Sequence, residues 1–210
     1  MFYRIMAPLT NLAISIVCFC CFRNATNRFV VLALGLGLNY RGLAPKDVVM
    51  GNGNYSALDW QQYSSATAGK SISQNFGATT LNRSLDPKGF DFRESCDSPS
   101  NPNSTPIMIF VDQTGSMGQL ANDIIQTGLG IIMGEVYNRK PIPDPHMLCG
   151  AIGDARNREV APIQLTQFEA EVLPLGTQIQ QLFIEANGGG NGGESYALAW
   201  AAAHFKTKCD

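Results

Sequence analysis

Along this chain, unbroken apolar runs, helical periodicities and polar stretches follow one another, and each pattern predicts its own element. Ile107, Met108, Ile109, Phe110 and Val111 form a short continuous apolar run, the pattern of a strand covered on both faces in a parallel sheet. His146 to Gly153, HMLCGAIG, repeats that pattern after the turn Pro143-Asp144-Pro145, with His146 expected at the surface just ahead of the strand. Between the two runs Leu120, Ile124, Ile125, Leu129, Ile132, Met133 and Val136 recur at helical spacing. They predict an amphipathic helix over 119–137 that packs on the sheet and ends at Asn138, Arg139, Lys140 and Pro141. Residues 159–168, EVAPIQLTQF, alternate weakly around Pro162, which suits an edge strand hairpinned to its predecessor. Leu175, Ile179, Leu182 and Phe183 mark a second helix with Pro174 in its first turn, and 197–205 a third. The predicted class is α/β, a parallel sheet with one antiparallel edge strand.

Two further apolar runs, 9–22 and 29–38, lie near the start of the chain, separated by RNATNR. Neither reaches the roughly 20 apolar residues that span a bilayer unaided. Charge sets this region apart. Residues 1–49 carry Arg4, Arg23, Arg28, Arg41 and Lys46 against Asp47 alone, a balance of +4, and the remainder holds ten basic and sixteen acidic residues, or −6. Two readings of 1–49 stand: upstream sequence translated ahead of a start at Met50, or a membrane anchor through residues 9–38. Residues 50–105 are rich in Ser, Asn, Gly and Asp and predict a polar extension and linker, with a short helix from Ala57 to Tyr63 in which Trp60 packs on the domain. SSATAGKS at 64–71 lacks the first glycine and the preceding buried strand of a phosphate-binding loop, and reads as a solvated loop. Asp86-Pro87-Lys88-Gly89 reads as a turn.

The chemistry gathers where the first core strand ends. Asp112, Thr114 and Ser116 alternate with Gln113 and Gly115, so in an extended loop three oxygen side chains converge on one side. Oxygen-only ligands suit a hard divalent cation, Mg²⁺ or Mn²⁺. Asp154, closing the second strand, falls on the same sheet edge if the two strands run parallel, either binding the metal through water or capping a turn. Gly188 to Gly193 form a glycine-rich loop just ahead of Glu194, Ser195 and a helix, a composition that lets backbone approach a ligand closely.

The stretch DQTGSMG at 112–118 has the D-x-[ST]-x-S pattern and resembles the metal-ion-dependent adhesion site of von Willebrand factor A domains. NPNSTPIMIFVDQTGSMG, RKPIPDPHMLCGAIGDA, APIQLTQFEAE and GGGNGGESYALAW, in that order, resemble an uncharacterised A-domain family of bacterial and tailed-phage genomes, from about Gly51 to the end. The resemblance implies a Rossmann-like three-layer fold, of which 106–210 would be the amino-terminal part. It also implies Asp112, Thr114 and Ser116 as ligands of Mg²⁺ or Mn²⁺, and an acidic group on a protein partner completing the shell. The partners it implies are AAA+ ATPases or phage and bacterial assemblies. Adhesion-type A domains place a ligand threonine in the loop at 188–193; none stands here, and Asn191, Glu194 or Ser195 would take its place. Such domains also continue beyond the point where this chain stops, so the resemblance implies a truncated domain whose three strands leave one flank open.

Composition narrows the alternatives. Apolar residues make up 45% of the chain and charged ones 15%. A main segment of balance −6 offers no basic stripe for phosphate backbones, which argues against nucleic acid. Cys18, Cys20, Cys21, Cys96, Cys149 and Cys209 show no metal-ligand spacing and no disulfide framework, which fits a reducing, cytoplasmic setting. The expected function is a non-enzymatic, metal-dependent protein-interaction domain; the alternative is a metal-free scaffold with a degenerate site. DQTGS also resembles the phosphorylated D-K-T-G-T motif of P-type ATPases, but Met117-Gly118 and GDARN at 153–157 depart from that family, and two histidines supply no nucleophile set.

Overall fold

The computed structural model describes residues 56–97, 103–113, 144–155, 159–185 and 197–209 in full, helical positions at 122–123, 127–128, 132 and 136, and the backbone alone at 15–20, 28–33 and 192–196. In chain order the elements are β1 (Ser15–Cys20), β2 (Arg28–Ala33), α1 (Ala57–Thr67), α2 (Ile72–Asn75), β3 (Arg93–Ser95), β4 (Thr105–Asp112), β5 (Pro145–Ile152), β6 (Ile163–Leu165), α3 (Val172–Ile179), α4 (Gly192–Phe205) and β7 (Thr207–Cys209). Five strands make one sheet in the order β2-β1-β4-β5-β6, and β3 pairs with β7 in a second, two-stranded one.

The two apolar runs picked out by pattern are the central pair. Strands β4 and β5 run parallel in register from Thr105 opposite Pro145 to Asp112 opposite Ile152. Side chains alternate across the sheet, and both faces are covered. Ile107, Ile109, Met147, Cys149 and Ala151 pack with Tyr63 of α1 and with Val172, Leu175 and Ile179 of α3; Ile132 and Val136 of the predicted 119–137 helix join the same cluster. On the opposite face Met108, Phe110, Leu148 and Ile152 meet Leu165 and the small residues Ala199, Ala202 and Ala203 of α4. Helices packed against a sheet that contains a parallel pair give an α/β architecture.

Local chemistry accounts for the element ends. Ser56 caps α1, its hydroxyl accepting the Asp59 N–H at 3.2 Å, and Gly69 turns the chain after it with φ of +72°, a conformation that suits glycine. Asp86 caps the single 3-10 turn Pro87–Gly89 by accepting Lys88 N–H at 3.0 Å, as the turn residues predict. Pro174 lies in the first turn of α3, as expected; the edge strand expected over 159–168 is only Ile163–Leu165, which pairs antiparallel with β5 and begins after Pro162 because proline has no N–H for the ladder.

Several expectations change. The flank of β4 predicted to lie open is occupied by β1, which pairs antiparallel with Ile107 to Phe110. Two stretches of the amino-terminal region are thus strands of the main sheet, and among the described residues no helix is long and apolar enough to cross a membrane. The sheet therefore has antiparallel strands on both sides of its parallel pair, not one edge strand alone. The segment read as a polar extension supplies Tyr63, Phe76 and Leu85 to the core. Its stretch 64–67 is the end of α1, because Tyr63 and Thr67, one helical turn apart, both face inward, the Thr67 hydroxyl donating to Tyr63 O at 3.1 Å. Arg93, assigned to the linker, is buried in β3 with its guanidinium 3.6 Å from the centre of the Phe90 ring and a hydrogen bond to Leu165 O at 3.3 Å. Helix α4 begins at Gly192, within the glycine-rich run. Among the described residues Cys149 is a free thiol and Cys209 is disulfide-bonded.

Candidate functional site at the carboxyl end of the parallel strands

Asp112 is the last residue of β4 and sits opposite Ile152, two residues before Asp154. The parallel register therefore brings both acids to one edge of the sheet, as predicted. Asp154 is buried, 3% exposed. Its backbone N–H donates to Glu159 Oε2 at 2.7 Å. Sequence reasoning did not single out Glu159, taking it as the first residue of an edge strand. The structure turns it back so that its carboxylate lies against the Cα of Gly153, where a side chain would meet Glu159 Cδ at 2.9 Å. The missing Cβ is the space the carboxylate fills.

A second acid reaches the same turn from the other side. Glu185 accepts the N–H groups of Val160 at 2.9 Å and Ala161 at 2.8 Å, so the turn after Glu159 is held by a charge-assisted pair of hydrogen bonds. Burial raises the Glu159 carboxyl above its ordinary range; the Asp154 hydrogen bond opposes that, and the fields of Glu185, Asp154 and Asp112 add to the rise. Three neighbouring carboxylates thus act on that of Glu159 at this edge. Glu159 Oε1 is shielded from water and has no hydrogen-bond partner among the described residues, a costly state for a carboxylate oxygen.

The other predicted residues are distributed differently. Thr114, Ser116 and Asn191 lie outside the described residues. Glu194 and Ser195 fall in the first turn of α4. Among the described residues no group of three or more His, Cys, Asp or Glu side chains is placed to hold a metal ion. A hard divalent cation here would need further oxygen ligands of the kind the Thr114 and Ser116 hydroxyls offer. A signal for Glu159 was present in the chain: an acid following GDARN within a few residues of a strand end. What it lacked was any local pattern showing that the turn folds back on the strand.

The opposite, amino edge of the sheet carries the described histidine of the core strands. His146 lies within β5, half-buried, its Nδ1 3.1 Å from Ser95 Oγ, and so is not the surface residue expected. Ser95 is fully buried, which leaves this serine out of reach of a substrate. Burial lowers the His146 pKa from 6.5, with Asp144 and Asp97 acting in the opposite sense. Because the unfolded chain then binds the proton more readily than the folded one, the stability held above pH 6.5 is lost as pH falls below it. Between about pH 7.5 and about pH 5 the urea midpoint of the wild type is expected to fall more than that of His146→Asn; equal slopes would remove this account of the histidine.

In the preceding β5 strand the Cys149 thiol is wholly buried and its pKa is pushed up to about 12, which makes it an inert core residue. No family model, curated protein or solved structure matches the chain.

Proposed function

We propose that this chain is a metal-dependent protein-interaction domain of the von Willebrand factor A kind, with its site at the carboxyl end of β4. Asp112 and the hydroxyls of Thr114 and Ser116 are the ligands of Mg²⁺ or Mn²⁺ in this reading. Asp154 supports the ion from the neighbouring strand, and Asn191, Glu194 or Ser195 stand in for the missing loop threonine. The open coordination position takes a carboxylate from a protein partner, and AAA+ ATPases or phage and bacterial assemblies are the partner class. No bond is made or broken in the substrate, so the domain is not an enzyme.

The observation that supports the reading is that parallel pairing brings Asp112 and Asp154 to one sheet edge, where both act on the Glu159 carboxylate. Carboxylates that repel one another in a poorly solvated place are stabilised by a cation. The test is isothermal titration calorimetry of Mn²⁺ and Mg²⁺ into the full chain, wild type beside Asp112→Ala. Binding is expected in the wild type and a loss of at least about tenfold in the variant, the smallest loss typical of even an outer-shell metal partner. A folded wild type that takes up neither ion identifies the metal-free scaffold instead.

A further inference from the structure

Two buried glutamines stand beside the candidate site. Gln113, next to Asp112, is 1% exposed, and Gln164 of β6 is 0% exposed. Primary amides are costly to bury unless each group is bonded, and a strand end or a hairpin can be packed with apolar side chains at no such cost. These amides make a directed network. Gln113 Nε2 donates to Ala161 O. Its Oε1 accepts from Gln164 Nε2 at 2.7 Å, and the same Gln164 nitrogen donates to Phe183 O at 2.8 Å. Gln164 Oε1 accepts the Phe183 N–H at 2.9 Å. The Gln113 N–H continues the strand ladder to Ile152 O at 2.9 Å.

The consequence is that three segments distant in sequence are tied together at one point. Ala161 is held by its carbonyl from Gln113 and by its N–H from Glu185. Phe183, two residues before Glu185, is held at both backbone groups by Gln164. Glu159 lies two residues ahead of Ala161, and Asp112 one residue ahead of Gln113. Hydrogen bonds with fixed directions set the spacing of these segments, where an apolar contact would let them slide. We infer that Gln113 and Gln164 are positioning residues, holding the turn that bears Glu159 against the strand end that bears Asp112. The inference rests on the cation-site reading for what the assembled carboxylates bind, but the frame itself is a property of the apo chain.

Amide hydrogen exchange by NMR on the full chain without metal, paired with Mn²⁺ titration, tests it in Gln164→Met. Exchange at Ala161 and Phe183 is expected to accelerate about tenfold or more while amides in the middle of the β4–β5 ladder keep their wild-type rates. Mn²⁺ affinity is expected to fall about tenfold or more. Unchanged exchange at both amides overturns the inference. A uniform rise across the ladder does so too, since it marks loss of global stability alone, as does a local rise with wild-type Mn²⁺ affinity. A local rise in a chain whose wild type binds no Mn²⁺ upholds the frame and sinks the cation reading. If Gln164→Met does not fold, Gln164→Glu keeps the shape and the acceptor for Phe183 N–H, removes both donors, and is read by the same outcomes.

Discussion

Phe110→Ala is expected to remove about 3–5 kcal/mol of folding stability, the range for emptying a buried aromatic site. Phe110 is 1% exposed at the centre of the sheet, on the face covered by α4. Its ring lies over the neighbouring strand at Gly150, where any Cβ would collide with the ring's Cδ1 and Cε1 and come within 3.2 Å of Leu165 Cδ2. The layer facing it is built of Ala199, Ala202 and Ala203, short side chains that cannot reach into the vacated space. The cavity would therefore stay open, which puts the cost toward the upper part of that range. Against a total stability of about 5–15 kcal/mol for a typical domain, this would leave little folded protein on mild warming. Urea unfolding followed by the fluorescence of Trp60 and Trp200 measures it. Gly150→Ala overfills the same place and is expected to cost about 1–3 kcal/mol. Combined with Phe110→Ala it should cost less than the two added, because each relieves what the other creates. Additive costs, or a Phe110→Ala penalty below about 1 kcal/mol, would show that the two residues do not share this space.

Gly153→Ala is expected to act on the site while sparing most of the fold. Its Cβ would occupy the place of the Glu159 carboxylate, with Cδ at 2.9 Å and Gln113 Nε2 at 3.3 Å. The obstructing atoms belong to the end of a flexible side chain, so Glu159 would be expelled toward water and the strand pair would remain. What is lost is the hydrogen bond from Asp154 N–H to Glu159 Oε2, worth about 1.5–3 kcal/mol for a charged acceptor. Part of that is returned because Glu159 Oε1 regains water and the carboxylate leaves the field of Glu185, Asp154 and Asp112. The net stability change is therefore expected to be small, about 1 kcal/mol or less, while the affinity for Mn²⁺ falls by about tenfold or more. Thermal unfolding and calorimetry on the same sample separate the two quantities. A Gly153→Ala variant that binds Mn²⁺ like the wild type would remove Glu159 from the site.

Helix capping and turn signals were legible because they act within a few residues. Asp86 capping a proline turn and Pro174 in a first helical turn are each decided by groups close in the chain. The same holds for the central strands. Continuous apolar runs at 107–111 and within 146–153 have no solvent face to expose, and the structure buries them from Ile107 to Phe110 and from Met147 to Ile152. Partner choice was not legible. That β1 lies along β4, and β7 along β3, depends on hydrogen-bonding edges far apart in sequence, and an unpaired edge accepts any strand of suitable shape. The polar appearance of 50–105 hid its core role because Tyr63, Phe76 and Leu85 are spaced too widely to form a run.

For the candidate site the division is the same. From the chain alone one learns that an acid and two hydroxyls follow a buried strand, and that a second acid ends the next; parallel pairing then carries Asp112 and Asp154 to one edge. The folding back of Glu159 onto Gly153, the clamp of Glu185 on Val160 and Ala161, and the buried bridge from Gln113 through Gln164 to Phe183 were decided by tertiary structure alone. Periodicity and capping are read from neighbours, whereas these contacts join groups brought together only when the sheet closes, and no local preference of a glutamine or a glutamate encodes which distant backbone group it will meet.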